Sequence, residues 1–537
     1  MKRTVALFLC FSLIFGLAPM GALTPVARAD ALPSVSLALP AQTMIGEGTS
    51  FAVSFKNSGT TGYGPFIDLV LPGGASALTF DSATYLGVPV TATVLTFPDD
   101  DGAGSGTTGH VLHPYAVDTS GQPLAVYGTA GDQLVVLQLP FGSYTPGQPA
   151  ADLTVNALLS SGASLGAQVT VRARAGFQFG NTPVNDPATD PSIVSGNSDS
   201  STWTVASMTV PTVLKLRKEY SSSEGETATG ANFERTYRLV ADVASGQTVT
   251  GLTLTDALPS NLQFVSIGGI SPAGNAGQLP STTVPGGQLS VTFPSVTGGA
   301  GADDAVVTFS YYVPQVDAGG QPVVSAATGA AATSHDSATA QGTWKGISVS
   351  GGPAVHDLQD RSLAIQKGVA IVSDTGKAGL TPGDTLEYTL SFEVSDYFAF
   401  QNLRIPSDVL SDGQQLDASF TPQFSVTENG TVTMGSFGAE RWTSSPQADG
   451  TTLLSFDISS ALVDNGRSGQ LLGGLVQPAD ADGNDGPTTG WVRFRTTVLD
   501  AYRTNYPSGD ASLDEGDAVS NSVTISGGVL DTASLLP

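Results

Sequence analysis

The chain has 537 residues, enough for about three or four domains, and only 13% of them are charged, roughly half the usual share, while glycine (64) and proline (33) are plentiful. Against 21 basic residues stand 47 acidic ones, a net charge of −26, which argues against nucleic acid or an anionic membrane surface as partner, since both need basic patches. A weakly charged, acidic chain rich in Thr, Val and Gly is typical of extracellular β-proteins, and solubility accounts for the charge itself.

The N-terminus reads as an export signal. Lys2 and Arg3 form a positive start, "TVALFLCFSLIFGLA" an apolar stretch, and Ala27-Arg28-Ala29 a small-residue cleavage site that leaves Asp30 as the mature start. The only cysteine, Cys10, falls in the removed segment, behind Phe8 and Leu9, where a lipid-attachment motif wants small residues. The mature chain is therefore expected to have no disulfide, the usual staple of exported domains. No later apolar run approaches the roughly 18 residues of a membrane helix. The closing "GGVLDTASLLP" carries no sorting motif and stops abruptly, as expected of part of a longer protein.

Along the rest of the chain, short alternating runs are separated by Gly/Pro/Asn/Asp turns, the pattern of β-sandwiches. Three segments share one plan. Each opens on an apolar strand: "SVSLALP" from 34, "TVLKLRKEY" from 212, "SLAIQKGVAIV" from 362. A second alternating strand follows: "GEGTSFAVSFKN", "GANFERTYRLVAD", "PGDTLEYTLSFEV". A strand with Pro or Asp near its end comes next: "FIDLVLPGG", "LTLTDALPSN", "LRIPSDVLSD". A polar strand closes each: "VSGNSDSSTWTV", "TSHDSATAQGTW", "AVSNSVTISG". The expectation is an all-β chain of tandem immunoglobulin-like β-sandwiches, diverged copies of one unit, over 30–209, 210–350 and 353–537. Linkers are placed near 207–212 and 348–357. Long Gly/Asp/Ser-rich stretches in the first and third copies read as surface loops.

The stretches "LAIQKG", "LTPGDTLEYTLSFEV" and "AVSNSVTISG" resemble the fimbrial isopeptide-forming domains and related repeats of bacterial surface proteins. "LKLRKEY", "FERTYRLVADV" and "LTLTDALPSNLQFVS" are similar to the same group, so the resemblance covers about 210–350 and 355–530 and is weak over 30–209. It implies an internal cross-link: a lysine on the first strand joined through an amide to Asn or Asp on the last, assisted by an acid. Burial lowers a lysine pKa and raises a carboxyl pKa. The neutral amine is then a nucleophile, and the protonated acid polarises the carbonyl.

Side chains alternate faces along a strand, and parity tests the idea. Lys367 shares a face with Leu363, Ile365, Val369 and Ile371, and Asn521 shares one with Val519, Val523 and Ile525. Lys218 lies with Leu214, Leu216 and Tyr220, while Asp256 lies with Leu252, Leu254 and Leu258. These match the family's lysine, amide and acid positions. Asp336 stands where the family usually has Asn, beside Ala338 and Ala340. Asp408 matches the acid by position, but its parity is one off from Leu403 and Ile405, which a β-bulge would repair. The first copy has no opening-strand lysine, since Lys56 faces away from Phe51, Val53 and Phe55, and no bond is expected there. The competing account is a lysine snorkelling from a strand edge and an asparagine in ordinary ladder contacts.

Asp480, Asp482, Asn484 and Asp485 suggest a calcium loop, but the glycine offset is wrong for an EF-hand and Trp491 stands at the closing position, so a solvated loop is expected and no metal or other cofactor is required. His110 and His113 read as a chance pair in a Gly-rich loop, and Trp203, Trp344, Trp442 and Trp491 as packing residues in strands. No nucleophile elbow, zinc helix, P-loop or dinucleotide fingerprint is present, so an enzyme acting on an outside substrate is not expected. The reading is a secreted or surface-anchored stalk- or fimbria-like array, with other surface proteins or extracellular-matrix molecules as the class of partner. The alternative is an extracellular carbohydrate- or protein-binding module, calcium-dependent or not, that uses the loops of the first copy.

Overall fold

The computed structural model describes residues 30–530 except 100–107, 183–189, 222–226, 228–229, 231–233, 302, 327–329, 377–378, 477–487, 505–510 and 514–516. The export signal and the acidic stretch with Asp480, Asp482, Asn484 and Asp485 lie outside the described residues. The fold is all-β, built of antiparallel sheets. Among the described residues there is one α-helix, Ile458–Asp464, and no helix long and apolar enough to cross a membrane.

The chain forms two compact units, 1–211 and 212–537. In the first, the strand Pro65–Leu71 is buried along its whole length. One of its faces is covered by a hairpin of Thr108–Val117 and Pro123–Thr129, and Phe66, Val70, Phe97, Ala116, Val126 and Trp203 form the core beneath it. His113 is thus a buried residue of a strand rather than part of a loop. Trp203 is also buried, one residue after a short 3-10 turn rather than in a strand.

The second unit holds four sheets that fall into two sandwiches. In the earlier one, Leu214–Tyr220, Arg235–Val243, Ala305–Tyr312 and Gln263–Ser271 face a sheet centred on Gly287–Thr297, Thr248–Leu258, Ala331–Trp344 and Ile347–Arg361. In the later one, Leu363–Ser373, Thr385–Val394, Thr488–Val498 and Gln423–Glu428 face a sheet around Ala399–Leu410, which pairs with both Thr452–Asp457 and Asn521–Val529. Alternation dictates the core. Leu386, Tyr388, Leu390, Phe392 and Val394 point inward, against Leu403, Ile405, Leu454 and Phe456 of the other sheet.

Both expected linkers are strands. Residues 205–212 and 347–361 are strands, the first laddered to Val169–Phe177 and the second to Ala331–Trp344 on both sides of Gly352-Pro353, and only Ser362 separates Arg361 from the next strand. The stretch 353–361, expected in the third copy, belongs to the sheet of the second. The misreading has a physical cause. Gly352 sits at φ +90°, and the register with Ala331–Trp344 slips between Ala338 and Ala340. A bulge on an edge strand accommodates the Gly-Pro pair that otherwise signals a break.

The two sandwiches of this unit meet through polar contacts. Gly230 N donates to Asp396 at 2.6 Å and the Tyr397 hydroxyl donates to the Val313 carbonyl at 2.8 Å, while buried Arg235 pairs with Asp360 at 2.9 Å within the earlier sandwich. Burial pushes the Asp396 carboxyl up to about 6. The folded state thus holds this proton more tightly than the unfolded chain. Its contribution is fully present below about pH 4 and lost as pH rises through 6, by roughly 3 kcal/mol. Asp396→Asn is expected to flatten the stability of the unit between about pH 4 and 7, measured by denaturant unfolding.

Candidate functional site

The opening strand Leu214–Tyr220 carries Lys218 inward from one sheet, and Thr248–Leu258 carries Asp256 inward from the other. Side chains of Lys218, Asp256 and Asp336 are all fully buried. Lys218 Nζ donates to Asp256 Oδ2 at 2.6 Å. The same nitrogen lies 2.5 Å from Asp336 Oδ2, but off any hydrogen-bond direction, so that both Asp336 oxygens are buried without a hydrogen bond. One acid is hydrogen-bonded to the amine; the other is pressed against it.

Register explains why these residues meet. Asp256 pairs with Ala338, which places Asp336 as its diagonal neighbour on the same face. In the later sandwich Asp408 pairs with Val523, so Asn521 stands in the same diagonal relation. The register slips between Ile405 and Asp408, and Asp408 is fully buried. Lys367 Nζ lies 2.7 Å from Asp408 Oδ2 with its side chain 12% exposed. Lys367 Nζ, both Asp408 oxygens and both polar atoms of Asn521 are buried without a well-aligned hydrogen bond among the described residues.

The electrostatics run in the direction that nucleophilic chemistry needs. Burial raises the Asp256 carboxyl well above its usual range; neighbouring Asp336 adds to this and Lys218 opposes it. Burial also raises Asp408, against the pull of Lys367 and Asn521, and lowers Lys367, against the pull of Asp408. A buried acid that keeps a proton and a buried amine that gives one up can exchange it between them.

Aromatic rings floor both lysine sites, and here the sequence reading was incomplete. Lys218 Nζ is 4.3 Å from the Tyr237 ring centroid and 5.8 Å from that of Phe309. Lys367 Nζ is 5.2 Å from Tyr388 and 6.0 Å from Phe494. These are equivalent positions: Lys218 pairs with Leu239 and Lys367 with Leu390, and each tyrosine comes two residues earlier on the paired strand. The tyrosine hydroxyls differ in partner. Tyr237 meets His356 Nδ1 at 2.7 Å, whereas Tyr388 donates to buried Gln414 at 2.7 Å. Strand alternation shows the tyrosines facing inward; nothing local shows what their hydroxyls reach.

The first unit has no such lysine, and Lys56 is exposed. It has instead a buried ionic trio that parity missed. Asp68 Oδ1 meets His113 Nε2 at 2.9 Å and Asp68 Oδ2 accepts from Arg174 Nε at 2.7 Å. The Arg174 guanidinium lies 4.7 Å from the Trp203 ring centroid. An aspartate inside the apolar run "FIDLVL" is the signal that could have revealed it. No group of three or more metal-ligating side chains occurs among the described residues.

No family model and no curated protein sequence matches the chain. Among solved structures, it is similar to the full-length major pilin SpaD from Corynebacterium diphtheriae, at 12% identity over 74% of this chain and 81% of that one, TM-score 0.20. It is similar to the major pilin subunit BcpA of Bacillus cereus, at 10% identity over 81% and 95%, TM-score 0.22. A third likeness is to the collagen adhesin CNA from S. aureus, at 9% identity over 62% and 93%, TM-score 0.18. At these values the likenesses carry no argument about activity or ligand.

Proposed function

We propose that this chain is a mechanical or adhesive segment of an extracellular, surface-associated array, and that the two sandwiches of its second unit each close on an internal amide bond. Lys218 joins Asp336 with Asp256 as the assisting acid; Lys367 joins Asn521 with Asp408 in that role. The carrying observation is the contact of Lys218, Asp256 and Asp336, three fully buried side chains contributed by two facing sheets. An amide there ties sheet to sheet, and resistance to pulling is what such a tie supplies. In a chain whose only cysteine lies in the expected signal, it takes the place of a disulfide. The chemistry is self-directed and single-turnover, and needs no cofactor.

Fixed proximity supplies most of the rate. The amine nitrogen attacks the Cγ of Asp336 or Asn521, the acid hands a proton to the departing group, and water or ammonia leaves. Intact mass spectrometry of the mature chain tests this. The expected mass is one water and one ammonia below that of the linear chain. Lys218→Ala restores the water and Lys367→Ala the ammonia. A mass equal to that of the linear chain overturns the proposal.

A further inference from the structure

The two lysine sites differ in charge, and the difference predicts different behaviour. The Lys218 site encloses one amine and two carboxyls. As an ammonium and two carboxylates, it would carry one uncompensated negative charge with no exposed side-chain surface. The Lys367 site encloses one amine, one carboxyl and one neutral amide, and balances by itself. A buried net charge is costly unless a proton or a partner neutralises it.

We infer that closure of the Lys218–Asp336 bond requires one proton taken from solvent and is therefore promoted by acid, whereas closure of the Lys367–Asn521 bond draws no proton and is indifferent to pH over the same range. The inference rests on the cross-link reading and adds its regulation: the order in which the two sandwiches lock depends on the pH in which the chain folds.

The atoms balance. At the first site the extra proton resides on Asp256. The Lys218 nitrogen bonds to Asp336 Cγ and the C–O bond breaks. Two of the three ammonium hydrogens leave with that oxygen as water, and the third stays on the amide. Asp256 still holds its proton at the end, so the proton assists without being consumed. Without it, oxygen would have to depart beside a second carboxylate. At the other site the Lys367 ammonium passes a proton to Asp408 and the amine attacks Asn521 Cγ. The C–N bond breaks and ammonia leaves, and the site is neutral throughout. Burial, with Asp336 beside it, raises the Asp256 carboxyl well above its usual range, in agreement with a proton held on Asp256.

Asp336 has titratable and aromatic neighbours on the adjoining strands. His356 is its cross-strand partner and is half-buried. Its ring stacks on Tyr220 at 5.2 Å and meets the Tyr237 hydroxyl. Tyr311 stacks on Tyr237 at 4.6 Å, and the Arg235–Asp360 pair lies at the outer end of the same strands. His356 is the one group here that titrates near neutrality when unperturbed, so the test must separate it from the carboxyl pair.

The full chain is synthesised cell-free in buffers from about pH 5.5 to 8.5, quenched at intervals and digested, and the two linked peptides are followed by mass. The Lys218–Asp336 peptide is expected to form more slowly as pH rises, by up to tenfold per unit once the shared proton is lost. The Lys367–Asn521 peptide should form at one rate throughout, and in each sample it also reports that the unit has folded. Asp336→Asn should abolish the dependence at the first site and exchange water loss for ammonia loss. Asn521→Asp should create the dependence at the second. His356→Gln should leave the first site acid-promoted. Equal pH profiles at the two native sites overturn the inference, as does a dependence that survives Asp336→Asn or vanishes in His356→Gln. Absence of any Lys218-linked peptide at every pH overturns the cross-link reading with it.

Discussion

Lys218→Ala is expected to lower the unfolding free energy of the second unit by at least about 5 kcal/mol, read as a fall in denaturant midpoint. Two losses combine. Removing the amine leaves Asp256 and Asp336 fully buried against each other, and breaking a buried charge set by deleting one member costs roughly 3–5 kcal/mol. Losing the tie also frees the unfolded chain. For a disulfide closing a loop of order 100 residues, that constraint is about 5 kcal/mol on the chain-entropy model. The two do not add simply, because a protonated carboxyl pair relaxes part of the first. Asp256→Asn separates them. It keeps the shape and the lysine but removes the acid that moves the proton, so the mass should return to that of the unlinked chain while the amine stays in place. A Lys218→Ala chain as stable as the native one would mean that the pair was never joined and that its burial contributes nothing.

The second large effect is expected in the first unit, at the buried trio of Asp68, His113 and Arg174. Arg174→Met should cost about 3–5 kcal/mol, because it leaves the Asp68 carboxylate buried without its cation. His113 is poorly placed to take over. Its Nδ1 accepts from the Ala116 and Tyr115 backbone N–H groups at 2.7 and 3.1 Å, so a second ring proton would break those contacts. Burial pushes Asp68 up, but His113 and Arg174 outweigh it and hold the carboxyl below its usual range. The sign follows. The trio stabilises the fold above about pH 4, the unfolded value, and its contribution is lost as pH falls through the lower folded value. Asp68→Asn with Arg174→Met should recover much of the single-variant loss, since an apolar or neutral replacement of a whole buried set is nearly neutral. Thermal unfolding of the native chain and of both variants at neutral pH and below pH 4 measures both claims.

Much of this was legible in one dimension. Strand periodicity places Lys218, Asp256, Lys367 and Asn521 on inward faces because alternation is a local consequence of the extended backbone. The inward turn of Asp408 was legible only as a mismatch of one residue, since a bulge leaves no fixed mark in composition. The edge strand 347–361 was read as a linker for a related reason. Gly352-Pro353 resembles a chain break, and only the pairing of its flanking residues with Ala331–Trp344 shows that one strand continues through it. His356 disappeared with that strand.

The sequence by itself determined an all-β chain with a handful of polar residues on apolar faces, because both follow from neighbours a few positions apart. Tertiary structure alone decided which of those residues touch. Lys218 and Asp336 come from facing sheets more than a hundred positions apart, and their 2.5 Å contact depends on register, bulge and sheet packing together. The same is true of Asp68, His113 and Arg174, whose grouping beneath a hairpin has no signature in any one segment. Local pattern fixes a side chain's face; only the packed fold fixes its partner and so its charge, its proton and its chemistry.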